Sequence, residues 1–245
     1  MPTAPPSSAA PIYRLYTALT QSSPFDPNSG LGGKLLYAGE ITPVTRNLLQ
    51  AANIAGAASL AASADPATLR EAMRNGVIDF LVNSLEEALR ILKNEIRKHQ
   101  TVSVGVVLEP NSLVSQMLDR GVLPDLIPQA SNLTQFLTQG SKQIAEAVIP
   151  PESYCITWQV DRDFAHWLPR LDECAKAVLP LEDHPRHRWL RLAPRYLGRP
   201  AQRQHSIAFT EDEFAKFQTL VKEKLAETGP GSAESPKATI EKIDF

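Results

Sequence analysis

Three short stretches hold the side chains that could do chemistry. The first runs from His184 to His205 and carries six arginines, three histidines, Trp189 and Tyr196, with no acid before Glu211. Guanidinium groups interleaved with aromatic rings can bind phosphates or stack on bases, so Arg188, Arg191 and Arg195 are the anion-binding candidates. The same residues suit a strand with mixed faces across Arg188 to Arg191, and arginine stems commonly cover apolar surface. A structural or subunit-interface role is therefore the leading expectation. A small anionic ligand comes second and nucleic acid last, because the chain has 27 acids against 25 Lys and Arg and a net charge of −2.

The second stretch is Gly39-Glu-Ile-Thr-Pro-Val-Thr45, the turn between an apolar run from Lys34 to Ala38 and an Ala-rich helical run that reaches Ala57. A glycine-rich loop at such a turn cradles phosphate with backbone N–H groups. Here there is one glycine and one acid. Thr42, Thr45 and the helix N-terminus could still attract a small anion through hydroxyls and the helix dipole. The third set is scattered: Ser63, Asp65, Glu109 and Gln129 each follow a strand-like run. Asp125 also lies near a strand end. A single carboxylate is no mechanism, so no catalytic residue is assigned. Cys174, His184 and His187 fit no strong zinc spacing, and no metal site is expected. Cys155, in the middle of a strand, reads as a small buried hydrophobe.

These residues need elements to position them, and the apolar pattern supplies the outline. After the 34–38 strand and its helix comes a small-residue strand over 57–64. Asp65-Pro66 then caps a helix to about Asn75, with proline at its first position. Val77 to Val82 reads as a strand. Leu85 to Lys98 shows a helical stripe at 85, 88, 89, 92 and 96. Val102 to Leu108 is almost wholly apolar, as in a strand buried on both faces of a parallel sheet. A helix over 111–120 and a short strand over 122–127 complete the alternation. Strand and helix in turn predict βαβ units: a three-layer α/β, Rossmann-like parallel sheet. A short echo, Arg74-Asn-Gly-Val-Ile-Asp79 and Asp119-Arg-Gly-Val-Leu-Pro-Asp125, is explained most simply by the glycine that helix ends favour.

Beyond residue 150 the chain is expected to form an α/β extension over 151–228 that is packed on the same sheet, either extending it or lying across it. It has a strand over 154–160, a helix over 161–179 interrupted by Pro169, and a helix from Glu211 opened by the capping box Thr210-Glu-Asp-Glu213. Residues 1–33, with six prolines and two charged side chains, read as a partly disordered extension with a short helix around Tyr13 to Leu19. Residues 229–245 read as a mobile tail, since Gly229 to Pro236 cannot bury enough apolar surface to offset its ordering entropy. No apolar run approaches the ~18–20 residues of a membrane span, and no signal peptide is evident. Reduced thiols and a cytoplasmic location are expected.

Residues 34–132 resemble the central NAD-binding domain of urocanase (urocanate hydratase). The carriers are Ala55-Gly-Ala-Ala-Ser-Leu60 with Asp65-Pro66, Ser84-Leu-Glu-Glu-Ala-Leu89, Val102-Ser-Val-Gly-Val-Val107 and Asp119-Arg-Gly-Val-Leu-Pro-Asp125. The resemblance implies a Rossmann domain over 34–150. By position it implies cofactor roles for Gly39, Thr42, Thr45, Ser63, Asp65, Glu109 and Gln129. The chemistry at those positions has changed. The family's Gly-Leu-Gly-Gly-Met-Gly-Gly turn is replaced by Glu40 to Arg46, its ribose-binding acid by Ser63, its Gly-Asn by Leu108-Glu109, and its Thr-Asp-Gln-Thr-Ser by Pro128-Gln-Ala-Ser-Asn132. The flanking segments that supply the family's reactive cysteine and substrate pocket have no recognisable counterpart. The expectation is a protein without tightly bound NAD and without hydratase activity, acting as a ligand-binding, accessory or interaction protein. A homo-oligomer and a small anionic ligand stay open as partners. The alternative is an NAD-dependent, urocanase-related lyase of histidine degradation, or an enzyme using a smaller phosphate-bearing ligand.

Overall fold

Local capping chemistry marks out the N-terminal half. Thr42 caps α2 (Pro43–Ala55), Asp65 caps α3 (Pro66–Arg74), Ser84 caps α4 (Leu85–Arg97) and Glu109 caps α5 (Pro110–Asp119). Three of these helices carry proline in their first turn, where its missing N–H costs nothing. Between them run β1 (Leu35–Glu40), β2 (Ala58–Ser63), β3 (Phe80–Val82), β4 (Val102–Val107) and β5 (Leu126–Ile127). A helical turn α6 (Thr134–Thr138) leads to β6 (Lys142–Gln143), and α1 (Ala10–Ser22) precedes them all. The computed structural model describes residues 9–130, 133–226 and 238–243. It divides into two units, 14–148 and a second formed by 149–245 with the first thirteen residues.

In the first unit all six strands are parallel, in the order β3-β4-β2-β1-β5-β6. The expected three-layer Rossmann-like sheet is present. Val102, Val104 and Val106 of β4 point to one face, where Leu85, Ala88 and Leu92 of α4 and Leu113 and Met117 of α5 bury them. Leu89, also expected to face the sheet, is only partly buried. The residues between point to the other face, under α2 and α3. A Cβ on Gly105 there would lie 2.6 Å from both Ile78 and Leu69, so helix α3 sits closer than any larger side chain would permit. β4 lies between β3 and β2 and is thus an internal strand, as its apolar run requires.

Two strands start later than their apolar runs suggest. Val77 N–H donates to Ala72 C=O (2.9 Å) and Val122 N–H to Met117 C=O (2.8 Å), so both residues finish the preceding helix instead of opening a strand. Gly76 and Gly121, at φ 69° and 64°, make the left-handed step that this ending needs. The echo continues into the aspartates. Asp79 N–H donates to Ser103 C=O and its Oδ2 accepts from Ser103 N–H, both at 2.8 Å. Asp125 does the same with Leu35, again at 2.8 Å twice. Each aspartate closes the amino end of a strand pair. Asp125 consequently lies at the sheet edge opposite the ligand crevice of such folds, contrary to the interest its sequence position raised.

The second unit has its own sheet. β7 (Ser153–Gln159) is central, with β8 (Gln204–Thr210) and β9 (Thr239–Ile243) antiparallel on either side. These strands therefore build a separate sheet, which excludes the first of the two expected arrangements, an extension of the parallel sheet. β9 also corrects the expected tail: residues 239–243 pair antiparallel with Cys155–Gln159, whose free edge opposite β8 they occupy. Residues 227–237, and with them the Gly229–Pro236 segment, lie outside the described residues, as do residues 1–8. The 161–179 helix is resolved into a 3-10 turn over Arg162–Trp167 and α7 (Leu168–Val178), with Pro169 in the first turn of α7. The arginine stretch is helical, α8 (His184–Tyr196). Asp183 caps it, Pro185 fits its first turn, and Trp189, Leu190 and Ala193 are buried at helical spacing, which removes the strand reading. Thr210 and Glu213 make the expected capping box of α9 (Glu211–Ala226), each N–H bonded to the other's side chain at 2.9 and 3.3 Å.

Candidate functional site

Parallel strands bring their carboxyl ends to one edge, and the strand order has its reversal between β1 and β5. On one side of β1 lie β2, β4 and β3; on the other, β5 and β6. Ligands of open α/β sheets bind outside the carboxyl ends at such a point. Gly39 and Ser63 lie in the last residues of β1 and β2, Thr42 and Thr45 follow β1, Asp65 follows β2, Glu109 follows β4 and Gln129 follows β5. The topology therefore gathers all seven at the same edge.

What each does there is mostly local. Thr42 N–H donates to Thr45 Oγ1 (2.6 Å), Thr45 N–H donates to Thr42 Oγ1 (3.3 Å), and the Thr45 hydroxyl donates to Glu40 C=O (2.5 Å). The Thr42 and Thr45 N–H groups at this helix start are thus bonded to each other's hydroxyls, and Pro43 has none to offer. Gly39, at φ 87°, lies where the β1–β2 register shifts between Tyr37 and Gly39. Ser63 is buried and accepts from Asp65 N–H (3.2 Å). Asp65 accepts from the N–H groups of Ala67 (2.9 Å) and Thr68 (3.1 Å) and from the Thr68 hydroxyl (2.7 Å). The Thr68 hydroxyl, then those two N–H groups, hold its carboxyl below the usual carboxylate range, so it stays ionised. Glu109 accepts from Ser112 N–H (3.0 Å) as the cap of α5.

The edge is electronegative. Glu40, Asp65 and Glu109 stand along it, while the nearby cation Arg46 is held in a two-pronged pair by Glu71 at 2.8 and 3.1 Å. Tyr37 reports the same field. Its phenol, buried beneath the edge and 3.4 Å from Pro110 C=O, is raised above its ordinary range by burial, with Glu109 and Glu40 adding to the effect. The sequence marked Tyr37 only as part of a strand. Its position below two carboxylates depends on β1 and β4 sharing one edge, a non-local fact.

Gln129 differs from the other six. With Leu48 of α2, Arg14 of α1 and the segment 144–147, it surrounds a cavity of about 470 Å³. That segment is tied to α1: Gln21 exchanges hydrogen bonds with Val148 N–H and C=O (2.9 and 2.8 Å), and Ala145 N–H donates to Ser22 (3.0 Å). No sequence signal pointed to Arg14 or to 144–147.

The other candidates lie in the second unit. Arg188 is buried, while Arg191 and Arg195 are exposed on α8. Arg195 lies over the Tyr196 ring. Arg186, on the same helix, meets Asp183 at 2.6 Å and both oxygens of Glu213 at 2.7 and 2.8 Å. Burial works against its charge, but those bonds from Glu213 and Asp183 outweigh it and hold it above its ordinary value. His205 places Nδ1 against Asp172 (2.8 Å) and Nε2 against Ala201 C=O (2.9 Å), and Trp158 donates to the same Asp172 (3.1 Å). Both ring nitrogens of His205 thus lie against oxygen atoms, one of a side chain and one of the backbone. Cys155 is buried, and burial pushes its thiol up to about 11. Among the described residues no helix is long and apolar enough to cross a membrane.

The architecture of the first unit agrees with a sequence comparison. Residues 28–138 match the family model described as the urocanase Rossmann-like domain, less than half of the chain. Strands β1 to β5 and the helix caps between them fall within the matched residues, and this segment is similar to the urocanase Rossmann-like domain.

Proposed function

We propose that this domain holds no dinucleotide at the β1–α2 turn and serves as a ligand-binding or accessory protein without hydratase activity. The observation that carries the reading is the reciprocal Thr42–Thr45 pair, which occupies the helix start where a pyrophosphate would rest. Three carboxylates along the same edge oppose the two negative charges of a pyrophosphate. The cavity at Gln129 lies to one side of this edge and is the place where a different, smaller ligand would sit.

Calorimetry with NAD tests it. The expected result is no binding with a dissociation constant of order 1 μM or below. Heat fitting such a constant in the intact chain, lost on replacement of Asp65 or of Thr42, would return the protein to the dinucleotide-using class.

A further inference from the structure

We infer that the open edge of β3 pairs with β3 of a second copy of this chain, antiparallel and about a twofold axis at Leu81. β3 is an outer strand of the parallel sheet and, among the described residues, pairs on one side only, with β4. The backbone groups on its other side can be named. Ser103 C=O accepts from Asp79 N–H at 2.8 Å, so Ser103 turns toward β3, and two residues on Gly105 does too. In a parallel pair a residue bonds to the two that flank its register partner. Phe80 stands opposite Val104 and Val82 opposite Val106, so Phe80 and Val82 bond to β4 and Leu81 faces outward. The internal echo gives the same answer. Asp125 starts β5 as Asp79 starts β3, so Ile127 corresponds to Leu81. At β5 the outer edge is filled by β6: Asp125 C=O accepts from Lys142 N–H (2.9 Å) and Ile127 C=O from Ile144 N–H (2.8 Å). On β3 the corresponding edge is open.

Such an edge is a template for another strand, and two features select a second copy of this chain. The first is shape. A twofold axis at Leu81 lets the Leu81 N–H of each copy donate to the Leu81 C=O of the other. It also sets Phe80 opposite Val82 of the second copy, twice. Phe80 is 47% exposed, and aromatic and β-branched side chains facing each other across antiparallel strands stabilise the pairing. The second feature is charge. Arg70 and Arg74 lie on α3 ahead of β3, and Glu86 and Glu87 in the first turn of α4 after it; all four are exposed. Glu71 is taken by Arg46. The amino end of the edge then keeps two arginines against Asp79, and the carboxyl end two glutamates against Arg90, the partner of Glu86. One end is net basic and the other net acidic. Antiparallel pairing sets each end against its opposite, which favours a copy of the same edge over an unrelated strand.

The experiment follows the full chain by analytical ultracentrifugation and by hydrogen exchange over a range of concentrations. The expected result is a monomer–dimer equilibrium in which the Leu81 amide slows as the dimer forms. The Phe80 and Val82 amides, already bonded to β4, should not change. Leu81→Pro removes the outward N–H without removing a bond of the sheet, and Phe80→Asp replaces an exposed ring. Each should weaken the dimer by about tenfold or more while leaving the circular dichroism spectrum unchanged. Arg74→Glu should also weaken it, and adding Glu86→Arg should recover it. A chain that stays monomeric up to about 1 mM would overturn the inference. So would a dimer in which Leu81 exchanges at one rate at every concentration, or one that the double charge exchange fails to recover.

Discussion

The two units spend their polar side chains differently. In the parallel-sheet unit, the named polar groups sit at the ends of elements: Thr42, Asp65, Ser84 and Glu109 start helices, and Asp79 and Asp125 start strand pairs. The sheet itself is packed by small and aliphatic residues. In the antiparallel unit, polar side chains cross the core. Asp172 bonds both Trp158 and His205, Trp189 donates to Ser206 C=O at 2.6 Å, and Arg186 ties α8 to α9 through Glu213. A six-stranded parallel sheet buries enough apolar surface on both faces to hold its helices. A three-stranded sheet has less such surface, and here charge networks fix where its helices lie. Removing a single polar side chain should therefore cost more in the second unit than in the first.

The largest expected effect is at Arg186. Arg186→Ala leaves Glu213 and Asp183 without their cation and should destabilise the antiparallel unit by about 2–4 kcal/mol. That is somewhat below a fully buried pair, because these groups keep some solvent contact. Arg191→Ala, exposed on the same helix, should stay within ~0.5 kcal/mol. All three tryptophans, Trp158, Trp167 and Trp189, belong to this unit, so fluorescence in a urea titration follows its unfolding selectively. Equal midpoints for the two variants would show that the Arg186 network does not hold this unit together.

A smaller effect is expected in the parallel unit. Asp79→Ala and Asp125→Ala each remove the acceptor of one strand-end N–H, for about 1–2 kcal/mol. The sharper readout is hydrogen exchange: the Ser103 amide should speed up in the first variant and the Leu35 amide in the second. Matching increases would establish the two aspartates as the same device used twice. Unchanged exchange at both amides would show that the carboxylates do nothing for the strand ends.

The smallest expected effect at neutral pH is at Cys155. Because burial pushes its thiol up to about 11, the folded chain keeps it protonated where the unfolded chain, near 9, begins to ionise. Stability from this group is therefore complete below about pH 9 and declines between about pH 9 and pH 11. At pH 8 a thiol reagent should leave Cys155 unmodified in the native protein and label it on denaturation. Rapid labelling under native conditions would show that the antiparallel sheet opens far more readily than its buried network implies.

Element order was legible in the residues because its signals are local. A cap lies next to the helix it starts, as at Thr42-Pro43, Asp65-Pro66 and Thr210 to Glu213, and an apolar stripe is read within one helix, as in α4. The make-up of the β1–α2 turn was legible too, since Glu40 to Arg46 contains no glycine and that is a local fact. Several features were not. The arginine stretch has the composition of a binding surface, but its helical conformation depends on Trp189, Leu190 and Ala193 finding a sheet to cover. β9 carries too little apolar surface to announce a strand, and forms because β7 has an edge for it to pair with. Asp79 and Asp125 differ in no visible way from other turn aspartates until Ser103 and Leu35 are placed opposite them. The cavity is the extreme case: Arg14, Leu48, Gln129 and Glu146 lie up to 132 positions apart in the chain. Residue types and short spacings decide which elements form, because those energies act within a turn or two of helix. Strand order, and with it every grouping of side chains on the site edge, is decided only when distant elements pack.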